Sequence, residues 1–186
     1  MREKIVLDTN CLLMAIASRS RYHPIWQSFL QGDYILCVTT EILEEYEEIL
    51  ARNINLSVAQ YIMSALLERP NVQMIDVFFR FHLIASDPDD NKFVDCAIAS
   101  NARYIVTEDR HFDILKQIDF PKVTVIGIDR FNSTPVLRNK GVCIMGLGQL
   151  SRLFSTKHSL TMLVYISSPS LFIDLASCPL IDRPTL

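Results

Sequence analysis

Short apolar runs and amphipathic stretches alternate along the first 130 residues. Lys4–Leu7 is a run of strand formers that stops at Asp8, and Cys11–Ala17 can open a helix behind it. Tyr34–Val38 predicts a second strand. In the stretch that follows, to Arg52, Ile42, Leu43, Tyr46, Ile49 and Leu50 recur at helical spacing, with Thr40 as N-cap. Ser57-Val-Ala-Gln60 is a capping-box pattern for another helix, which must end before Pro70. Val72–Phe79 predicts a strand that continues with less order to Ala85. Asp87 as N-cap and Pro88 at the first helical position predict a helix running to about Asn101. Tyr104–Thr107 then predicts a strand, His111–Gln117 a short helical segment and Val123–Ile128 a last strand. Strands that alternate with helices make an α/β fold on a parallel sheet.

This grammar stops near Arg130. The remainder is rich in Ser and Leu, has no Glu and holds three of the five glycines, so residues 1–130 are read as one domain and 131–186 as an atypical C-terminal extension with no assigned function. An apolar fraction of 49% is enough to fill a core, which excludes wholesale disorder, collagen-like repeats and coiled coil. No segment reaches the roughly 18–20 apolar residues of a membrane span. The N-terminus carries no signal-peptide pattern, so a cytoplasmic protein is expected. Five scattered cysteines without a CxxC pair argue for buried thiols rather than a disulfide framework or a structural zinc site. Residues 1–130 carry 13 Lys and Arg against 19 Asp and Glu, whereas 131–186 carry 5 against 2. An acidic body argues against a passive nucleic-acid binder. It is compatible with a nuclease whose carboxylates hold metal ions.

In an open parallel sheet, sites form beyond the C-terminal ends of the strands. Asp8 directly follows the first strand, and Asp109 follows the Tyr104–Thr107 strand. Each alone is explained as a helix cap or a turn residue; two at equivalent strand ends point to a site. At about 100° per residue, Asp90 falls on the face of Phe93, Val94 and Ala97, and so points towards a cleft at the helix start. Asp95 falls away from that stripe and reads as a solvated charge, while Asp87 and Asp89 read as caps. Glu44 lies with Glu41, Glu47 and Glu48 on an acidic face, and the helical wheel does not select it over Glu41 or Glu45.

Four stretches in order resemble the PIN-domain nucleases: a strand ending in Asp8-Thr-Asn10, Thr39-Thr-Glu-Ile-Leu-Glu-Glu45, Asp87-Pro-Asp-Asp-Asn-Lys-Phe-Val-Asp-Cys-Ala97, and Tyr104-Ile-Val-Thr-Glu-Asp-Arg-His-Phe112. The pattern is most similar to bacterial PIN proteins classed with VapC-type toxin components, and it covers roughly residues 3–130. The resemblance implies a three-layer α/β/α fold with a central parallel sheet of about five strands. It places the family's acidic quartet on Asp8, Glu44, Asp90 and Asp109, with Asp95 as a further metal ligand. It also implies a homodimer and a small antitoxin partner whose basic segment enters the acidic cleft.

The chemistry expected from such a set is metal-dependent hydrolysis of an RNA phosphodiester, since clustered carboxylates repel unless a hard cation such as Mg²⁺ or Mn²⁺ joins them. Asp8, Asp90 and Asp109 would hold the metal, and the glutamate would ligate through water or orient the nucleophile. Arg19, Arg21, Lys92 and Arg110 are candidates for backbone phosphates, Asn10 and Thr107 are polar groups at the site, and His111 is discounted as a general base. Rival classes lack their signatures. Asn10 stands where an aspartyl-phosphate phosphatase needs a second Asp, and there is no GxxxxGK[ST] loop, Gly-rich dinucleotide turn or GxSxG elbow. The remaining alternative is a PIN-like fold that binds RNA or protein without catalysis.

Overall fold

The computed structural model describes residues 2–138. Five parallel strands form one sheet: β1 (Lys4–Leu7), β2 (Ile35–Val38), β3 (Val72–Met74), β4 (Tyr104–Val106) and β5 (Val125–Ile126), in the order β3-β2-β1-β4-β5. Helices cover it: α1 (Thr9–Ile16), α2 (His23–Gln31), α3 (Thr40–Asn53), α4 (Leu56–Leu67), α5 (Asn91–Ser100), α6 (Ile128–Asn132) and α7 (Pro135–Arg138). The inner strands are sealed on both faces. Ile5, Val6, Leu7, Leu36, Cys37, Val38, Ile105 and Val106 are all at most 1% exposed. That explains why each reads as an unbroken apolar run rather than an alternating one. The α/β parallel sheet expected from the pattern is present. The chain leaves β1 for β2 on one side and is joined by β4 on the other, so the order reverses at β1, and the crevice of such a fold opens at the C-terminal ends of β1 and β4.

Several local expectations shift by a residue or two. Thr39, not Thr40, caps α3, its hydroxyl accepting from the Ile42 N–H. Asn55 rather than Ser57 caps α4, accepting from Val58 N–H. The two outer strands are shorter than their apolar runs: β3 ends at Met74 and Phe78 stands almost fully exposed beyond it. As an edge strand, β3 has a partner on one side only, and after the bond from Ile75 N–H to the Val38 carbonyl the chain leaves the ladder. Helix α2 was not anticipated. Its signals were Pro24 in the first turn and Gly32 at the C-cap, where φ of +77° suits a residue without Cβ.

The packed body continues beyond Arg130. Phe131 is fully buried with its ring edge-on to Tyr34, and Leu137 is buried too. The remainder of the expected 131–186 extension lies outside the described residues. Cys11, Cys37 and Cys96 are free and buried. No helix among the described residues is long and apolar enough to cross a membrane.

Candidate active site

Asp8 sits between β1 and α1 and is 7% exposed. Three bonds tie this corner together. The Asp8 N–H donates to the Val106 carbonyl at 3.0 Å, the Thr107 hydroxyl donates to Asp8 Oδ2 at 2.8 Å, and the Asp109 N–H donates to Thr107 Oγ1 at 3.0 Å. Thr107 therefore links the ends of the two central strands through one side chain. Burial pushes the Asp8 carboxyl up to about 6, against the Thr107 hydroxyl and the Asn10 amide, and the charges of Glu45 and Asp109 add to the rise.

Asp90 closes a 3-10 turn (Pro88–Asp90) whose start is capped by Asp87, the Asp87 side chain accepting from Asp89 N–H. The Asp90 side chain is 18% exposed, and its Oδ2 is buried with no hydrogen-bond partner. Its carboxyl is also raised to about 6, first by burial, then by Asp87, Asp109 and Asp8, with His111 opposing. Asp109 is exposed at the rim and accepts from His111 N–H at 2.8 Å. The structure thus brings Asp8, Asp90 and Asp109 into one electrostatic group.

The glutamate whose charge acts on Asp8 in the structure is Glu45. Its Oε1 accepts from Thr9 Oγ1 at 2.6 Å, and its Oε2 lies 2.6 Å from Lys92 Nζ. Glu44 is exposed and borders a groove between α3 and α4 with Leu43, Glu47 and Met63. Glu41 pairs with Arg80. The rotation of α3 is set by Tyr46, fully buried, whose hydroxyl donates to the Leu7 carbonyl beside Asp8. Anchoring Tyr46 at the end of β1 carries its neighbour Glu45 into the crevice.

Asp95 is buried rather than solvated, and its Oδ2 has no hydrogen-bond partner. Its Oδ1 accepts from Phe81 N–H at 3.0 Å, because the segment after β3 crosses α5 and covers the flank that the helical wheel left open. Lys92, expected to meet phosphate, is turned onto Glu45. Arg21 pairs with Asp129 at 3.0 Å, Arg19 is exposed, and Asn10 and Arg110 are exposed beside Asp8 and Asp109 in the chain. Two further residues stand at this site. Asp87 and His111 have ligand atoms that lie with one of Asp90 within 4.8 Å of each other, a cluster that could hold a metal ion. The signals were the three-residue spacing of Asp87 and Asp90, and the placement of His111 two residues after Asp109.

The model of the PIN domain matches residues 4–111. The chain belongs to the PIN domain family. Two solved structures of similar backbone are VapBC2 from Rickettsia felis bound to a DNA fragment from its promoter, and DNA-bound VapBC from Salmonella typhimurium. The first is 17% identical and covers 67% of this chain and 98% of its own, with a TM-score of 0.49. The second is 16% identical and covers 68% and 98%, also with a TM-score of 0.49. No curated protein matches the sequence. Asp8, Glu45, Asp90 and Asp109 all lie within the matched range of this PIN domain.

Proposed function

We propose that this PIN domain is a metal-dependent endoribonuclease and the toxin component of a toxin–antitoxin system. One observation carries the nuclease reading: a buried carboxylate, Asp8, stands at the switch point of the sheet with Asp90, Asp109 and Glu45 acting around it, and a buried oxygen of Asp90 has no hydrogen-bond partner. The donor set fits a hard divalent cation, because it consists of carboxylate oxygens with one imidazole at the rim. Asp8, Asp90 and Asp109 would hold Mg²⁺ or Mn²⁺. Bound there, the cation supplies a water of lowered pKa and offsets charge at the scissile phosphate.

The protein's own groups do the rest. Thr107 holds the Asp8 carboxylate in one orientation, and Thr9 and Lys92 hold Glu45 beside it, where a carboxylate can orient a water. Asn10 and Arg110, exposed next to the acids, are the groups for the RNA backbone. The toxin assignment, the antitoxin with a basic segment, the homodimer and a cytoplasmic location rest on the four motifs that resemble VapC-type proteins. The test is cleavage of labelled single-stranded RNA with Mg²⁺, Mn²⁺ or EDTA. We expect metal-dependent products from wild type and from Glu44→Gln, and a loss of about 10²-fold or more in Asp8→Asn and Asp90→Asn. Folded wild type that binds RNA without cleaving it would replace this reading by the non-catalytic binding module.

A further inference from the structure

Both oxygens of Glu45 are engaged, one by the Thr9 hydroxyl and the other by the Lys92 ammonium, each at 2.6 Å. The Lys92 and Glu45 side chains are 19% and 26% exposed, whereas Arg21–Asp129, Arg52–Glu48 and Lys116–Asp113 pair at the open surface. The Lys92 ammonium lies 5.6 Å from the ring centre of the buried Phe93. Its neighbour Asn91 is buried and locked: the side-chain Oδ1 accepts from Ile84 N–H, and the side-chain Nδ2 donates to the Ile84 and Pro88 carbonyls. The start of α5 is therefore fixed, and Lys92 with it. Asp90, on the other side of Asn91, differs: its Oδ2 is buried without a hydrogen-bond partner, with His111 Nδ1 3.6 Å away. A divalent cation entering the crevice meets an Asp90 oxygen that no hydrogen bond holds. On Glu45 it meets an oxygen already in contact with a positive charge, which it would have to displace.

We propose that Lys92 is a positioning residue that holds Glu45 outside the cation's direct coordination and keeps it as the oriented carboxylate of the crevice. This rests on the metal-dependent reading of the same site. Lys92 then acts through Glu45, in contrast to the phosphate contact its place in the sequence suggests. Removing the ammonium frees Oε2, and Glu45 can swing to the cation as a ligand. The ion is then bound more tightly, while the carboxylate is lost from its working position.

The test is a double-mutant cycle read by Mn²⁺ titration calorimetry on wild type, Lys92→Met, Glu45→Gln and the double variant, with cleavage of single-stranded RNA followed in parallel. Deleting a positive charge strengthens Mn²⁺ binding in either background. Only the excess gained while Glu45 is present reports a new ligand. We expect that excess to be about fivefold or more. Lys92→Met should cleave more slowly despite its tighter ion, and Lys92→Arg should keep both wild-type properties. Equal gains in the two backgrounds, or an unchanged Mn²⁺ affinity with weakened RNA binding, would overturn the role of Lys92 and leave the nuclease reading standing. Absence of Mn²⁺ binding by folded wild type would overturn the nuclease reading itself. Should Lys92→Met fail to fold, Lys92→Gln serves in the same cycle.

Discussion

The two ends of the parallel sheet treat charge differently. At the N-terminal ends of β1 and β4, Glu3 pairs with Arg103, and Lys4 donates to the Ser100 carbonyl at 3.2 Å. Each charge there has its own partner and much of it faces water, as Arg103 does at 55% exposure. At the C-terminal ends, Asp87, Asp90 and Asp109 share the one imidazole of His111, Glu45 takes Lys92, and the buried Asp8 has the Thr107 hydroxyl and the Asn10 amide beside those acids. Two of those carboxyls are held well above the ordinary carboxylate range. One end is arranged as a fold needs. The other is an arrangement that folding alone would disfavour, and the proposed metal-dependent function would account for it.

The largest expected break in this contrast is with pH. The folded-state pKa of Asp8 is about 6, above the value of about 3.9 for an unfolded Asp. Between those values the folded chain holds the proton more firmly, so the stability of the metal-free protein falls as pH rises through that window. The contribution of Asp8 is about 3 kcal/mol, with Asp90 acting in the same direction. Thermal melts in EDTA should show a higher Tm at pH 5 than at pH 7. Asp8→Asn should flatten the difference, and Mg²⁺ should raise Tm more at pH 7 than at pH 5. A Tm in EDTA that rises with pH, unaffected by Asp8→Asn, would remove the contrast.

Thr107→Val sharpens it next. The substitution keeps the shape but deletes the hydroxyl that orients Asp8 and accepts from Asp109 N–H. Loss of such a supporting bond should lower metal affinity or cleavage by about 10–100-fold. Unchanged Mn²⁺ binding would mean that Asp8 needs no such support. The smallest effect belongs to the other end of the sheet. Arg103→Ala breaks an exposed pair, so urea unfolding should register less than about 1 kcal/mol and RNA cleavage should not change.

Much of this was legible along the chain. The apolar runs mark all five strands because a parallel sheet is buried on both faces, and the Asp87-Pro88 cap marks the start of the turn that carries Asp90. Asp8 and Asp109 were legible because each lies within three residues of the end of a central strand, where little chain intervenes to redirect the side chain. Helix α2 and the capping residues of α3 and α4 were less so, since neighbouring polar residues compete for each cap.

The sequence by itself determined the alternation of strand and helix, and with it the class of fold and the strand ends at which acids collect. Those are consequences of local chain geometry and of how much apolar surface each segment must bury. Only the tertiary structure decided which glutamate enters the crevice, because the rotation of α3 depends on Tyr46 reaching the Leu7 carbonyl from a distant part of the chain. It likewise decided that Asp95 is covered by the segment after β3 and that Lys92 meets Glu45. A helical wheel separates the faces of one helix, but which of them meets solvent depends on what packs against each.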